Sequence, residues 1–186
     1  MVKSEELNIV VVAGTTREKR MSIHAARMVK QVGDRTEGVK ITFVDVKDFF
    51  PLPGEGNDQD SQDPNWIEIN KQADGYFLVV PEYNHSFPGS LKMLLDNDLG
   101  NYTHKPVALA GVSAGPFGGA RVIENLLSPL RELGMIVSHK DVYFPNIHKM
   151  FPDTETEESE QLRKDQIERI QKAYEELIWL AKRLKN

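Results

Sequence analysis

Gly75-Tyr76-Phe77-Leu78-Val79-Val80-Pro81-Glu82-Tyr83-Asn84-His85-Ser86-Phe87-Pro88-Gly89-Ser90-Leu91-Lys92 passes from an apolar run, through a polar loop, into the start of a helix. Tyr76 to Val80 is short and apolar without alternation, the pattern of a strand buried on both faces of a parallel sheet. Pro81 lacks a backbone donor and is expected to end the pairing. Pro88 has the φ of a first helical turn, so the helix after it, through Asp96, leaves unpaired N–H groups facing the loop. A strand–loop–helix junction of this kind is where open α/β sheets bind ligands.

Working outward, the same unit recurs. Leu7 to Ala13 is a β-branched run ending at Gly14, and Ser22 to Val32 reads as a helix through Ile23, Ala26 and Val29. Val39 to Val46 is a second strand, and Phe49 to Pro64, rich in Pro, Gly, Asp and Asn, is a surface excursion. A short helix from Pro64 to Ala73 leads into the quoted strand. Pro106 to Val112 is a fourth strand, Gly119 to Leu133 a helix stopped by Gly134, and Met135 to Ser138 a fifth strand. Ile167, Ile170, Tyr174, Leu177, Ala181 and Leu184 then fall at spacings of three and four, one long amphipathic helix. Its acidic start, within the Asp153 to Glu160 run, and its basic end at Lys182, Arg183 and Lys185 complement the helix dipole, so the charge run needs no partner to explain it. Alternating strands and helices predict a five-stranded parallel sheet in the order 2-1-3-4-5, covered on both faces, as one domain over residues 1–186.

Composition narrows the function. Lys and Arg total 23 against 28 Asp and Glu, a net charge of −5, so the basic footprint of a nucleic-acid binder is missing. The absence of cysteine excludes disulfides, thiolate metal sites and a cysteine nucleophile. The five histidines show no metalloprotease spacing, and Ser113 lacks the G-x-S-x-G setting of a hydrolase nucleophile. Neither G-x-G-x-x-G after the first strand nor a P-loop occurs. Trp66 and Trp179 lie in apolar helical patterns and are expected to pack. No run is long enough to cross a bilayer, and a cytoplasmic protein without membrane or nucleic-acid partners is expected.

In the expected sheet, the loops after strands 1, 3 and 4 meet at one edge. The first, Gly14-Thr15-Thr16-Arg17-Glu18-Lys19-Arg20-Met21-Ser22, combines hydroxyls, two arginines and a helix N-terminus, a set suited to a phosphate. The second is the quoted loop. The third, Ser113-Ala114-Gly115-Pro116-Phe117-Gly118-Gly119-Ala120-Arg121, has the glycines that let backbone approach a ligand, although Gly-Pro and Gly-Gly also mark ordinary turns.

The run P-E-Y-N-x-S-x-P-G-x-L-K after a strand resembles the second flavin loop of the NAD(P)H-dependent FMN reductases, which include quinone and azo-dye reductases. The first loop is similar to that family's G-S-x-R-x-x-S-x-N phosphate loop. It differs by Thr15 for Ser, two extra residues between Arg17 and Ser22, and His24 in place of Asn. The third loop has the corresponding G-G-x-R. The resemblance implies a flavodoxin-like three-layer sandwich binding FMN, with Thr15, Arg17, Arg20 and Ser22 at the phosphate. It implies Pro81, Glu82, Tyr83 and Asn84 at the ring, and Ser113, Gly115 and Gly118 along the third loop. It further implies an oxidoreductase using NADPH or NADH, alternating donor and acceptor at one flavin face, and reducing a quinone, an azo compound or free flavin.

A homodimer or homotetramer is also implied. Leu94, Leu95, Leu126, Leu127, Leu130 and Leu133, on the helices after strands 3 and 4, offer more apolar area than sheet coverage would use. A flavodoxin-type electron-transfer protein and a flavin-dependent regulatory binding module stand as alternatives.

Overall fold

The computed structural model describes residues 6–54, 56 and 60–185. Six strands, β1 (Leu7–Ala13), β2 (Val39–Asp45), β3 (Gly75–Pro81), β4 (Pro106–Val112), β5 (Ile136–Val137) and β6 (Val142–Phe144), form one parallel sheet. Their order is β2-β1-β3-β4-β5, with β6 also on β4. The helices are α1 (Ser22–Gly33), α2 (Pro64–Gln72), α3 (Gly89–Asp96), α4 (Ala120–Glu132), α5 (Ile147–Met150) and α6 (Glu157–Leu184). The expected flavodoxin-like topology is thus observed.

Period-two alternation sorts each strand between two apolar layers. Leu7, Ile9, Val11 and Ala13 of β1 face one layer with Ala25, Ala26 and Val29 of α1 and Ile170, Ala173 and Tyr174 of α6. Val10 and Val12 face the other, with Trp66 of α2, Leu91 and Leu95 of α3 and Leu126 of α4. Central β3 and β4 are buried along their whole length, which is why they read as unbroken apolar runs. The second layer also holds a buried polar network. Asp98 accepts from the Asn70 and Asn101 side-chain amides and from the backbone N–H groups of Gly100 and Asn101. Tyr76 donates to Asn70, and Trp66 donates to Tyr102. Burial raises both tyrosine hydroxyls above the ordinary range, and it lowers the Lys105 ammonium beside them. Asp98→Asn puts an amide donor against the two side-chain amides that Asp98 accepts from. It is expected to cost about 1–2 kcal/mol in urea unfolding; a loss under half that would show that the network contributes little.

Three expectations are corrected. The fifth strand is not Met135 to Ser138 but two short pieces. β5 lies beside Pro106 and Val107, and β6 beside Ala110 to Val112, interrupted by the polar Ser138-His139-Lys140-Asp141. The β6 signal was present, since Val142 and Phe144 are buried and Tyr143 between them is exposed. Pro81 is the last residue of β3, as expected, but it still pairs with Val112. The ladder alternates sides, so an N–H of residue 81 would face β1, which has already ended, while Glu82 donates to Val112. The one-turn α5 had no periodic pattern to announce it. Finally, Leu94, Leu95, Leu126, Leu130 and Leu133 are buried in the core, leaving only Leu127 of that set exposed. Sheet coverage uses them after all.

Trp66 is fully buried as expected, whereas Trp179 on α6 is 50% exposed with the Arg183 guanidinium over its ring. The acidic run starts α6 through a capping box between Thr156 and Ser159. Among the described residues no helix is long and apolar enough to cross a membrane.

Candidate functional site

The register aligns Ala13 with Val79 and Val79 with Ala110, so β1, β3 and β4 release their loops at one level, between the strands where the chain reverses its order of addition. A cleft of about 240 Å³, open to solvent, lies there, with Arg17, Ser22, Glu82, Tyr83, Ser113 and Ile147 among its walls.

The first loop leaves β1 with the Gly14 N–H bonded to the Val79 carbonyl. Thr15, 2% exposed, turns inward, and its hydroxyl meets the Tyr83 hydroxyl at 3.0 Å, linking the first loop to the second. Arg20 donates to the Arg17 carbonyl and is ion-paired with Asp45 at the end of β2. Arg17 lies over the Tyr83 ring, 5.9 Å from its centroid, and forms no ion pair with a carboxylate among the described residues. The two arginines, equivalent in the sequence, therefore differ in available charge. Ser22 is the first residue of α1 rather than its cap. The capping position is Met21, no side chain caps the helix, and the N–H groups of the first turn at the cleft are unclaimed by one.

The second loop is a two-residue hairpin. Tyr83 and Ser86 exchange backbone hydrogen bonds at 2.8 and 2.9 Å, and Asn84 and His85 between them have φ of 49° and 66°. This is the left-handed pair of a type I′ turn. It is braced by Asn125 of α4, which donates to the His85 carbonyl at 3.0 Å, and by Arg121, which donates to Glu82 at 3.3 Å. The Asn84 amide at the turn tip is exposed. Histidine is a poor residue for φ 66°, and glycine is the usual one. His85→Gly is expected to raise stability by about 0.5–1 kcal/mol, read as a higher urea midpoint; a lower midpoint would mean that the His85 ring makes a compensating contact.

The third loop packs tightly on β4 and β6. A Cβ on Gly119 (φ 82°) would lie 2.5 Å from the Val112 nitrogen, and one on Gly118 (φ 63°) 2.7 Å from the Tyr143 Cβ. Gly115 is different, because a Cβ there would meet nothing within 4 Å. Ser113 donates to the Gly115 carbonyl, which also accepts from the Asn146 N–H and so ties the loop to the segment before α5.

Of the residues singled out from the sequence, Arg17, Arg20, Ser22, Pro81, Glu82, Tyr83 and Ser113 line the cleft. Thr15 lies behind it as the link between two loops, Asn84 at the hairpin tip, Gly115 beside the wall, and Gly118 under β6 in a packing position. Sequence reasoning missed the walls at Lys19, Met21 and Ile147. It also missed Phe117, 62% exposed with the Arg121 guanidinium 4.7 Å over its ring.

Arg20 Nε and Glu82 Oε2, on two residues that line the cleft, are buried without a partner among the described residues. The donor set at α1 suits a phosphate, and the hairpin offers donors and acceptors to a polar ring edge, so the residues present fit an FMN.

Comparison with known proteins agrees. Residues 7–149 match the family model described as NADPH-dependent FMN reductase. A quinone reductase of Escherichia coli (strain K12) is 30% identical over 161 residues, covering 81% of this chain and 85% of that protein. An NADPH azoreductase of Bacillus sp. (strain OY1-2) is 28% identical over 145 residues, covering 76% and 79%. Among solved structures, an oxidoreductase from Corynebacterium diphtheriae superimposes with a TM-score of 0.69 at 20% identity, covering 96% of this chain and 98% of that one. An azoreductase from Bacillus anthracis gives 0.61 at 16% identity, covering 91% and 99%.

Proposed function

The chain belongs to the NADPH-dependent FMN reductase family, and from that premise we propose that it catalyses hydride transfer from NAD(P)H to a quinone, an azo compound or free flavin by a ping-pong mechanism. It is an enzyme and an FMN flavoprotein. One observation carries the site assignment: an α1 N-terminus without a side-chain cap opens into the same cleft as an arginine without a carboxylate partner.

When bound, FMN supplies the redox chemistry, so the chain needs no nucleophile or acid–base dyad of its own. Its residues position and polarise. The first N–H groups of α1, the Ser22 hydroxyl and Arg17 would hold the phosphate. Backbone groups of Glu82 and Tyr83 with the Asn84 amide would hold the ring edge, and the hairpin is rigid enough to do so because Thr15, Arg121 and Asn125 brace it from three sides. The open backbone at Gly115 would leave room for the ring to approach the third loop. The cleft lies below the range of pockets that enclose a whole ligand, which agrees with a ring left accessible for donor and acceptor in turn.

A homodimer or homotetramer formed through α3 and α4 belongs to this reading. Its support is a groove of about 640 Å³ between those helices, with Phe87 and Leu99 beside the charged Lys92, Asp96, Arg131 and Glu132 on its walls, and Leu127 exposed on α4. A cytoplasmic setting, where reduced nicotinamide nucleotide is at hand, goes with it.

The test is the visible spectrum of purified protein reconstituted with FMN. Anaerobic NADPH or NADH is expected to bleach the flavin band and a quinone or azo dye to restore it, with parallel lines in double-reciprocal plots. Protein that fails to retain FMN, or that holds it without turnover for any donor and acceptor pair, would end the reading. Intersecting lines would remove the ping-pong step alone.

A further inference from the structure

The first loop is longer than the family pattern it resembles, by two residues between Arg17 and Ser22. The structure gives that length a consequence. Lys19 is held at φ 49°, a left-handed backbone that lysine rarely adopts, and its exposed side chain stands where two cavities meet. One is the phosphate cleft. The other, of about 420 Å³, runs along the outer face of α1 and is lined by Lys19, Arg20, Met21, Ile23, His24 and Arg27.

The groove has a definite chemistry. Ile23 and Arg27, and His24 and Arg27, are four and three residues apart on α1, so they share a face. Met21 and Ile23 supply an apolar floor, and His24 lies flat against Phe151, with ring centroids 5.3 Å apart and an interplanar angle of 26°. Lys19 and Arg27 form no ion pair among the described residues. The nearby carboxylates are engaged elsewhere, Glu18 with Lys47 and Asp45 with Arg20. Among the described residues no carboxylate lines the groove.

That asymmetry separates the two possible hydride donors. They differ only in the adenosine 2′ position, which is a hydroxyl in NADH and a phosphate dianion in NADPH. A site for the hydroxyl supplies an Asp or Glu acceptor, and a site for the phosphate supplies Arg or Lys. The nicotinamide must reach the ring held by the second and third loops, so the adenosine half of the donor lies outside the cleft, along its rim. Resting on the reading that NAD(P)H is the donor, we propose that the groove formed by Lys19, His24 and Arg27 takes the 2′-phosphoadenosine half of NADPH, with Lys19 and Arg27 on the 2′-phosphate.

The experiment compares wild type, Arg27→Gln and Arg27→Lys, each loaded with FMN. Binding of adenosine 2′,5′-bisphosphate is measured calorimetrically against 5′-AMP, and kcat and KM are measured with NADPH and NADH at one fixed quinone concentration. Wild type is expected to bind the bisphosphate at least tenfold more tightly than 5′-AMP. In Arg27→Gln that advantage and the NADPH-to-NADH ratio of kcat/KM are both expected to fall about tenfold, through the KM for NADPH rather than kcat. Arg27→Lys should retain a substantial part of both. Equal binding of the two nucleotides by wild type, or an unchanged NADPH-to-NADH ratio in Arg27→Gln, overturns the proposal. The retained flavin band and turnover with NADH report separately on the proposed function, so failure of the groove leaves a yellow, active enzyme and failure of that function does not.

Discussion

Gly119→Ala is expected to lower stability by about 3 kcal/mol or more and to abolish tight FMN binding. Two costs add. The backbone at 119 has φ 82°, where an L side chain costs about 1–2 kcal/mol. The new methyl would also lie 2.5–2.7 Å from the Val112 nitrogen and the Gly111 backbone, none of which can escape by a rotamer change. Overpacking of that kind costs roughly 1–3 kcal/mol and is relieved only by moving the third loop off β4. Gly115→Ala is the matched comparison. Its Cβ meets nothing within 4 Å, so stability should change by under about 1 kcal/mol, while FMN affinity should fall if the ring approaches that backbone. Urea unfolding of the apoprotein and fluorescence titration with FMN read the two quantities. A Gly119→Ala protein with the wild-type midpoint would show that the third loop is not held against the sheet in the way described.

Arg17→Ala is expected to weaken FMN binding by about 10- to 100-fold while leaving the fold intact, the loss of a charge-assisted bond to a phosphate. Arg17 is exposed and the only described contact of its side chain is with the Tyr83 ring, so little else depends on that side chain. Arg20→Ala should behave differently. Arg20 holds Asp45 and the Arg17 carbonyl, and removing it leaves Asp45, at the end of β2, without its counter-ion. Stability should therefore fall along with affinity. Titration with FMN and with riboflavin, which lacks the phosphate, sharpens the test: for Arg17→Ala the deficit should be confined to FMN. Wild-type FMN affinity in Arg17→Ala together with a phosphate-specific deficit in Arg20→Ala would reverse the two roles.

Much of this was readable along the chain because the relevant physics is local. Runs such as Tyr76 to Val80 are apolar without alternation only when both faces are buried, and Pro88 and Gly134 mark helix ends by backbone chemistry alone. The split of the fifth strand was not read. Two- and three-residue strands carry too few side chains to show a period, and β5 and β6 pair where they do because β4 offers an open edge. The leucines of α3 and α4 were misjudged for a related reason, since spacing shows that a face is apolar but not how much of it the sheet will cover.

The order of apolar and polar residues by itself determined the alternation of strands and helices, the parallel sheet that follows from it, and the three loops that meet at one edge of it. Only the tertiary structure decided what each residue in those loops does. It spent the charge of Arg20 on Asp45 and left that of Arg17, turned Thr15 inward to Tyr83, separated the packing glycines 118 and 119 from the open Gly115, and set Lys19 and Arg27, without an ion pair among the described residues, around one groove. The physical reason is that secondary structure follows from backbone and side-chain preferences within a few residues. Whether a charge or a hydroxyl is free for a ligand depends instead on which distant group the fold brings within hydrogen-bond reach.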